Sequence, residues 1–281
     1  MRAARRAARQ NRRCLGFVPT MGALHAGHIS LVRAACRQCD AVSVSIFVNP
    51  TQFGPTEDFS KYPRTLERDC ELLEAEGVDF LFAPSTAVMY PPGATTFVSV
   101  EGLSEKLCGR SRPGHFRGVT TVVSKLFNIV EPDVAFFGQK DAAQAVIVRR
   151  MVRDLGLGVE IVVCPIVREP DGLARSSRNA YLDAKQRKQA TVLYRSLMRV
   201  QALADRGESD STCLLVAALE AFKEEPEVRL DYFEIVDRET LDPVANTSKG
   251  ALVAVAAFVG STRLIDNIVL LGQESPTEPG N

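Results

Sequence analysis

Short apolar runs alternate with stretches of helical periodicity through the first part of the chain. Residues 14–20 (CLGFVPT) and 41–50 (AVSVSIFVNP) read as strands, and residues 29–39 between them read as a helix. The order recurs. A helix at 66–76 stops at Gly77 and a strand resumes at 78–83; a helix at 119–130, a strand at 133–137 (DVAFF), a helix at 142–155 and a strand at 159–167 (VEIVVCPIV) follow. Strand-helix-strand units of this length are parallel crossovers, so the pattern predicts an α/β fold, a Rossmann-like doubly wound parallel sheet covered by helices.

The alternation stops after residue 167. Residues 168–179 (REPDGLARSSRN) are polar and turn-forming, helical patterns run over 183–204 and 211–223, and strand-like segments lie at 230–236 (LDYFEIV), 251–259 (ALVAVAAFV) and 263–271. Grouped helices and strands predict a smaller C-terminal α+β domain over 168–281, after a first domain over 1–167. Residues 272–281 (GQESPTEPGN) lack apolar anchors and read as a disordered tail. The opening residues hold Arg2, Arg5, Arg6, Arg9, Arg12 and Arg13 without an acid; this superficially resembles a transit peptide, but an Arg-rich surface helix is the better reading.

Composition narrows the function. With 281 residues, 46% of them hydrophobic, the chain can bury a substantial core. Lys+Arg and Asp+Glu are equal at 34 each, so no global field draws it to nucleic acid or anionic membranes, and small-molecule chemistry fits better. The apolar run around 250–260 is too short to span a bilayer, so no membrane segment is expected. Seven cysteines, an odd number without the spacing of a disulfide scaffold, point to a reducing compartment and hence a cytoplasmic location. Cys36 and Cys39 form a lone Cys-x-x-Cys. They read either as a metal or redox pair or as two small residues on a helix; zinc normally takes four ligands, and no second pair exists.

Two of the three histidines, His25 and His28, lie in Met21-Gly-Ala-Leu-His-Ala-Gly-His28, directly after the first strand. Doubly wound sheets bind ligands outside the carboxyl ends of strands. Gly22 and Gly27 would let backbone approach a phosphate, with the helix amides and dipole pointed at it. On these residues alone, metal binding and plain packing remain alternatives. Lys140 and Asp141 at a later strand end similarly read as part of an anion site or as a solvated pair, and Gln52 and Gln144 as exposed polar residues.

The wider strings are more specific. Phe17-Val-Pro-Thr-Met-Gly-Ala-Leu-His-Ala-Gly-His28 resembles the His-x-Gly-His motif of the nucleotidyl-transferase superfamily shared with class I aminoacyl-tRNA synthetases. Ser45-Ile-Phe-Val-Asn-Pro-Thr-Gln-Phe53, Tyr62-Pro-Arg64, Met89-Tyr-Pro91, Arg112-Pro-Gly-His-Phe-Arg-Gly118, Phe137-Gly-Gln-Lys-Asp141 and Ser176-Ser-Arg-Asn179 are similar, in order, to blocks of the pantothenate synthetase (pantoate-β-alanine ligase) family. The resemblance covers about residues 15–268.

It implies an enzyme that uses ATP, with Mg2+, to join pantoate to β-alanine through pantoyl adenylate, releasing pyrophosphate and AMP. His25, His28, Lys140, Ser176, Ser177 and Arg178 would act on the phosphates. ATP would contact Met21, Gly22, Ala23, Leu24, Ala26 and Gly27 at the first corner, and Gly138, Gln139, Asp141, Val167 and Arg175 elsewhere. Gln52 and Gln144 would hold pantoate, with Met21 and Asn49 beside them. Asp69 falls where the family's acidic cluster near the metal lies, although its neighbour here is Cys70. Arg112 and His115 would close over the substrates. The resemblance also implies a homodimer, with no nucleic-acid or membrane partner.

Two departures stand out. Arg175 occupies a place that is often apolar in the family, and the chain starts inside or after the family's first strand, so an edge strand is expected to be missing.

Overall fold

A computed structural model of the chain describes residues 14–55 and 57–272. The first unit holds five strands: β1 (Leu15–Thr20), β2 (Ala41–Ile46), β3 (Phe80–Phe82), β4 (Val134–Gly138) and β5 (Glu160–Cys164). All pair in parallel, in the order β3-β2-β1-β4-β5. The chain steps outward from β1 to β2 and β3, then returns to the other side of β1 with β4. That reversal leaves a crevice at the carboxyl ends of β1 and β4, the switch point at which such sheets bind ligands. Leu15, Phe17 and Val18 of β1 are fully buried, as a central strand covered on both faces requires.

The first unit's helices are α1 (Ala26–Gln38), α2 (Leu66–Ala75), α3 (Thr86–Met89), α4 (Cys108–Ser111), α5 (His115–Val130) and α6 (Ala142–Asp154). Val32 and Ala35 of α1 pack with Val18, Val44 and Phe136 of the sheet. Helix α1 begins three residues before its expected start because His25 caps it. Strand β2 ends at Ile46 instead of 50, since the Asn49 side chain accepts from Thr51 N and opens a 3-10 turn over Pro50–Gln52.

The second unit contains α7 (Ala184–Gln189), α8 (Val192–Ala204), α9 (Ser211–Lys223) and the antiparallel sheet β6 (Val228–Val236), β7 (Gly250–Val259) and β8 (Thr262–Leu271). Val200, Leu214 and Ala218 of the helices share a core with Ile235, Val253, Val255 and Leu264 of the sheet. The single helix expected over 183–204 is interrupted. Thr191 donates its hydroxyl to Lys188 O at 2.7 Å, a local bond that competes with helical geometry.

Contacts divide the chain into one unit reaching to Glu169 together with Ala174–Ala180, and another holding Pro170–Leu173 and the residues from Tyr181. The sequence places the boundary at 167/168, but Arg175 N donates to Val167 O at 2.9 Å and Arg168 bridges Ala174. These bonds fold Ala174–Ala180 back onto the first unit. The expected Arg-rich helix and nearly all of the expected tail lie outside the described residues.

All seven cysteines are free. Cys36 Sγ contacts Glu76 O at 3.7 Å, whereas Cys39 Sγ faces Cys14 Sγ at 2.9 Å, so the two members of the Cys-x-x-Cys turn to different partners. Among the described residues no group of three or more His, Cys, Asp and Glu side chains could hold a metal, and no helix is long and apolar enough to cross a membrane.

Candidate active site

Beyond β1 the backbone makes two consecutive left-handed residues, Gly22 (φ 80°) and Ala23 (φ 50°). For Ala23 this conformation is costly, and surrounding bonds must hold it. They come from Asp69 on α2. Its Oδ2 accepts from Ala23 N at 2.9 Å, and its Oδ1 accepts from Leu24 N at 2.9 Å and from the Thr65 hydroxyl at 3.1 Å. Asp69 is 1% exposed. Both carboxylate oxygens thus brace the turn that delivers His25 and His28.

The two histidines cap α1 reciprocally. His25 Nδ1 accepts from Gly27 N at 3.1 Å, and His28 Nδ1 accepts from His25 N at 3.4 Å. A backbone N–H can only donate, so each Nδ1 must be unprotonated and each Nε2 must carry the ring proton. The rings lie 4.1 Å apart, centroid to centroid. Burial first, then Lys140 and Arg175, lowers His25 to about 4. Burial first, then His25, lowers His28 to about 3. At neutral pH the corner presents two uncharged Nε2–H donors.

This changes the reading of Gly27. A Cβ there would stand 2.8 Å from His25 Cε1 and 2.9 Å from Nδ1, so the glycine makes room for the capping imidazole. Gly22 likewise serves the turn, facing Ile46 and Asp69.

A cavity at the ends of β1 and β4 brings most of the expected residues together, all within the first unit. Met21, His25, Gly27 and His28 line it from the first corner, and Gly138, Lys140, Asp141 and Gln144 from the β4 to α6 corner. Asn49 and Gln52 line it after β2, as do Val167, Arg175, Ser176, Ser177 and Arg178 beyond β5. Gly22, Ala23, Leu24, Ala26, Gln139 and Asp69 are not among the lining residues. They shape the corners instead of walling the cavity, because successive residues of a turn face different ways.

The cations of the 174–180 segment are anchored by acids. Arg178 makes a two-bond bridge to Asp58, at 3.1 Å for each contact, and Arg175 reaches Glu169 at 2.9 Å. Arg175 thus enters the cavity wall with its charge paired. Ser176 Oγ accepts from Arg178 N at 3.2 Å, which tightens the turn carrying both serines.

Gln52 is fixed on several sides. Asn49 Nδ2 donates to its Oε1 at 3.1 Å, and its Nε2 points to Met21 Sδ at 3.0 Å. Asn49 has no spare capacity for a ligand: its Nδ2 also donates to Gly118 O, and its Oδ1 accepts from Thr51 and from the Tyr90 hydroxyl. Arg112 and His115 do not line the cavity. They sit behind Gln52, against its backbone carbonyl.

The cavity also has walls that the sequence reading left out of the site: Phe47, Tyr62, Val122, Leu126 and Ile166. Tyr62 is 5% exposed, and burial pushes its phenol up, which keeps the hydroxyl protonated beside Ser177. The helical spacing of Val122 and Leu126 reads as ordinary core, because an apolar cavity wall and a packed helix face share one periodicity.

The pantoate-beta-alanine ligase family matches the chain over residues 1–269. The chain belongs to this family. A pantothenate synthetase of Koribacter versatilis is 65% identical over 91% of this chain and 88% of its own length, and one of Thermotoga neapolitana is 58% identical over 93% and 94%. The crystal structure of a pantothenate synthetase from Thermus thermophilus superposes with a TM-score of 0.89 at 53% identity, covering 91% of this chain and 92% of that one. A pantoate-beta-alanine ligase from Francisella tularensis, in complex with beta-gamma ATP and beta-alanine, has a TM-score of 0.77 at 36% identity and covers 92% and 90%. Membership of the pantoate-beta-alanine ligase family accounts for the parallel sheet and the small antiparallel C-terminal sheet together.

Proposed function

We propose that this ligase condenses pantoate with β-alanine at the expense of ATP. In the first step a pantoate carboxylate oxygen attacks the α-phosphorus and pyrophosphate leaves, giving pantoyl adenylate. In the second the β-alanine nitrogen attacks the acyl carbon, sheds a proton, and AMP departs with the bonding electron pair. The supporting observation is the pair of neutral Nε2–H donors on His25 and His28, in one cavity with Lys140, Arg175 and Arg178. Negative charge grows on the phosphoryl oxygens in the first step, and donors already in place stabilise it most.

Ser176 and Ser177 add hydroxyls for the β and γ phosphates, and Asp141 is exposed enough to accept ribose hydroxyls. Gln52 and Gln144 hold pantoate across the cavity, with Asn49 and Met21 supporting Gln52. Magnesium enters as part of the substrate MgATP. The described residues offer it no cage, and a hard cation satisfied by phosphate oxygens and water needs none. A cytoplasmic homodimer completes the reading; light scattering of the purified chain tests the dimer.

The deciding experiment is product analysis. Pyrophosphate should form from ATP and pantoate alone, and AMP with pantothenate only when β-alanine is added. Pyrophosphate release without any AMP on addition of β-alanine would point to a nucleotidyltransferase of the same superfamily and overturn the proposal. His28→Ala should lower turnover by at least ~100-fold, the loss expected for one transition-state donor.

A further inference from the structure

The third histidine is the one the cavity does not use. His115 opens α5, and its Nδ1 lies 2.8 Å from the backbone oxygen of Gln52, while its Nε2 lies 3.0 Å from Arg112 Nη1. Arg112 reaches the same carbonyl with Nη2 at 3.3 Å and is itself gripped by Glu57, at 2.7 and 2.6 Å. A guanidinium can only donate, so His115 Nε2 must accept and Nδ1 must carry the proton. Burial, then Arg112, lowers the ring to about 4, which keeps that tautomer uncharged.

Arg112 therefore donates to Glu57 on one side and to His115 on the other, and His115 donates to Gln52 O, so the three residues form one connected chain ending on that carbonyl. Helix and turn also touch directly: a Cβ on Gly118 would stand 2.3 Å from Thr51 O and 2.6 Å from Gln52 N. Both ends of Gln52 are thus fixed, its carboxamide by Asn49 and its carbonyl by the chain from Glu57.

We propose that His115 is a positioning residue: it holds Gln52 in the orientation that receives pantoate, with Arg112 and Glu57 fixing the imidazole. This rests on Gln52 being the pantoate residue. A carboxamide has two faces and one productive setting, so losing a bond to its backbone loosens acid binding without touching the phosphate corner. The effect is selective for one substrate.

The test compares His115→Leu, which removes the donor, with His115→Asn, whose Nδ2–H falls near the position of the ring Nδ1–H. His115→Leu should raise KM for pantoate by about 10-fold, one charge-neutral hydrogen bond's worth, with KM for ATP changed less than about 2-fold. His115→Asn should restore most of the loss. Glu57→Gln, which leaves the imidazole intact, should raise the pantoate KM by about 3-fold; it stands in should His115→Leu not fold. A merely structural role would move both KM values together or lower only the melting temperature, and either result overturns the proposal, as does an unchanged pantoate KM in both variants. Gln52→Ala separates the two layers. If it leaves pantoate KM alone, the pantoate assignment fails; if it raises KM while His115→Leu and Glu57→Gln do nothing, only the positioning role fails. Added to Gln52→Ala, His115→Leu should cost less than about 2-fold more, because the two act through one group.

Discussion

Asp69 accepts the amide proton of Ala23 at 2.9 Å across 46 positions of sequence, and with its other oxygen it accepts that of Leu24. A buried carboxylate thereby holds the left-handed step that carries the chain from β1 to His25. Asp69→Asn places an N–H where one backbone donor expects an acceptor, which should cost about 2 kcal/mol of unfolding free energy, read by urea denaturation. The magnesium concentration giving half-maximal activity should stay where it is. Restoration of activity by excess magnesium would return Asp69 to a ligand role.

Gly27→Ala should lower turnover by at least ~10-fold while costing little stability. The new methyl meets the His25 imidazole, so the ring swings away; the cap lost from residue 27 N is offset by alanine's better helix propensity. Steady-state turnover alongside a melting curve decides it; a stable variant with full turnover would mean that the His25 setting is not needed.

Arg178 is already bound to Asp58, and on the proposed assignment it would meet an incoming triphosphate in that pairing. Arg178→Ala should raise KM for ATP by about 10-fold, the worth of a charge-assisted contact, whereas Asp58→Asn, which leaves the cation less encumbered, should lower it or leave it within about 2-fold. Equal losses in the two variants would show that the bridge itself shapes the site.

Stability should depend on pH through the three histidines. Their folded-state values lie at about 4, about 3 and about 4, below the ordinary 6.5. The unfolded chain therefore binds protons that the folded chain refuses once pH drops below 6.5. The stabilisation is complete above that value and is lost as pH falls from 6.5 towards 4. Near pH 5 unfolding should take up about three protons, seen as a falling urea midpoint between pH 7.5 and 5. His115→Leu should remove about one of them, and a flat profile would contradict the neutral assignment.

Local features were the legible ones. Strand and helix order followed from periodicity, and the His25–His28 corner from a spacing short enough to be read within one turn. What escaped depends on partners distant in sequence. Nothing around Asp69 in the sequence shows that its oxygens meet Ala23 and Leu24, 46 and 45 positions away. Arg112 and His115 read as a lid for the same reason, although their bonds run to the far side of Gln52. Arg175 looked anomalous beside Ser176 until its bond to Glu169 accounted for the charge.

The reciprocal cap on α1 has a consequence for how anions meet this protein. Gly27 N and His25 N, which would ordinarily be offered straight to a phosphate, are already spent on imidazole nitrogens. Each ring passes the polarity of the peptide through to its outer nitrogen, so on the proposed assignment the helix end would meet a phosphate through aromatic extensions instead of main chain. Because the same two rings cap the helix, a substitution at His25 or His28 takes a backbone acceptor from the turn as well as an outer donor from the cavity, so recognition and local backbone order are coupled at this corner.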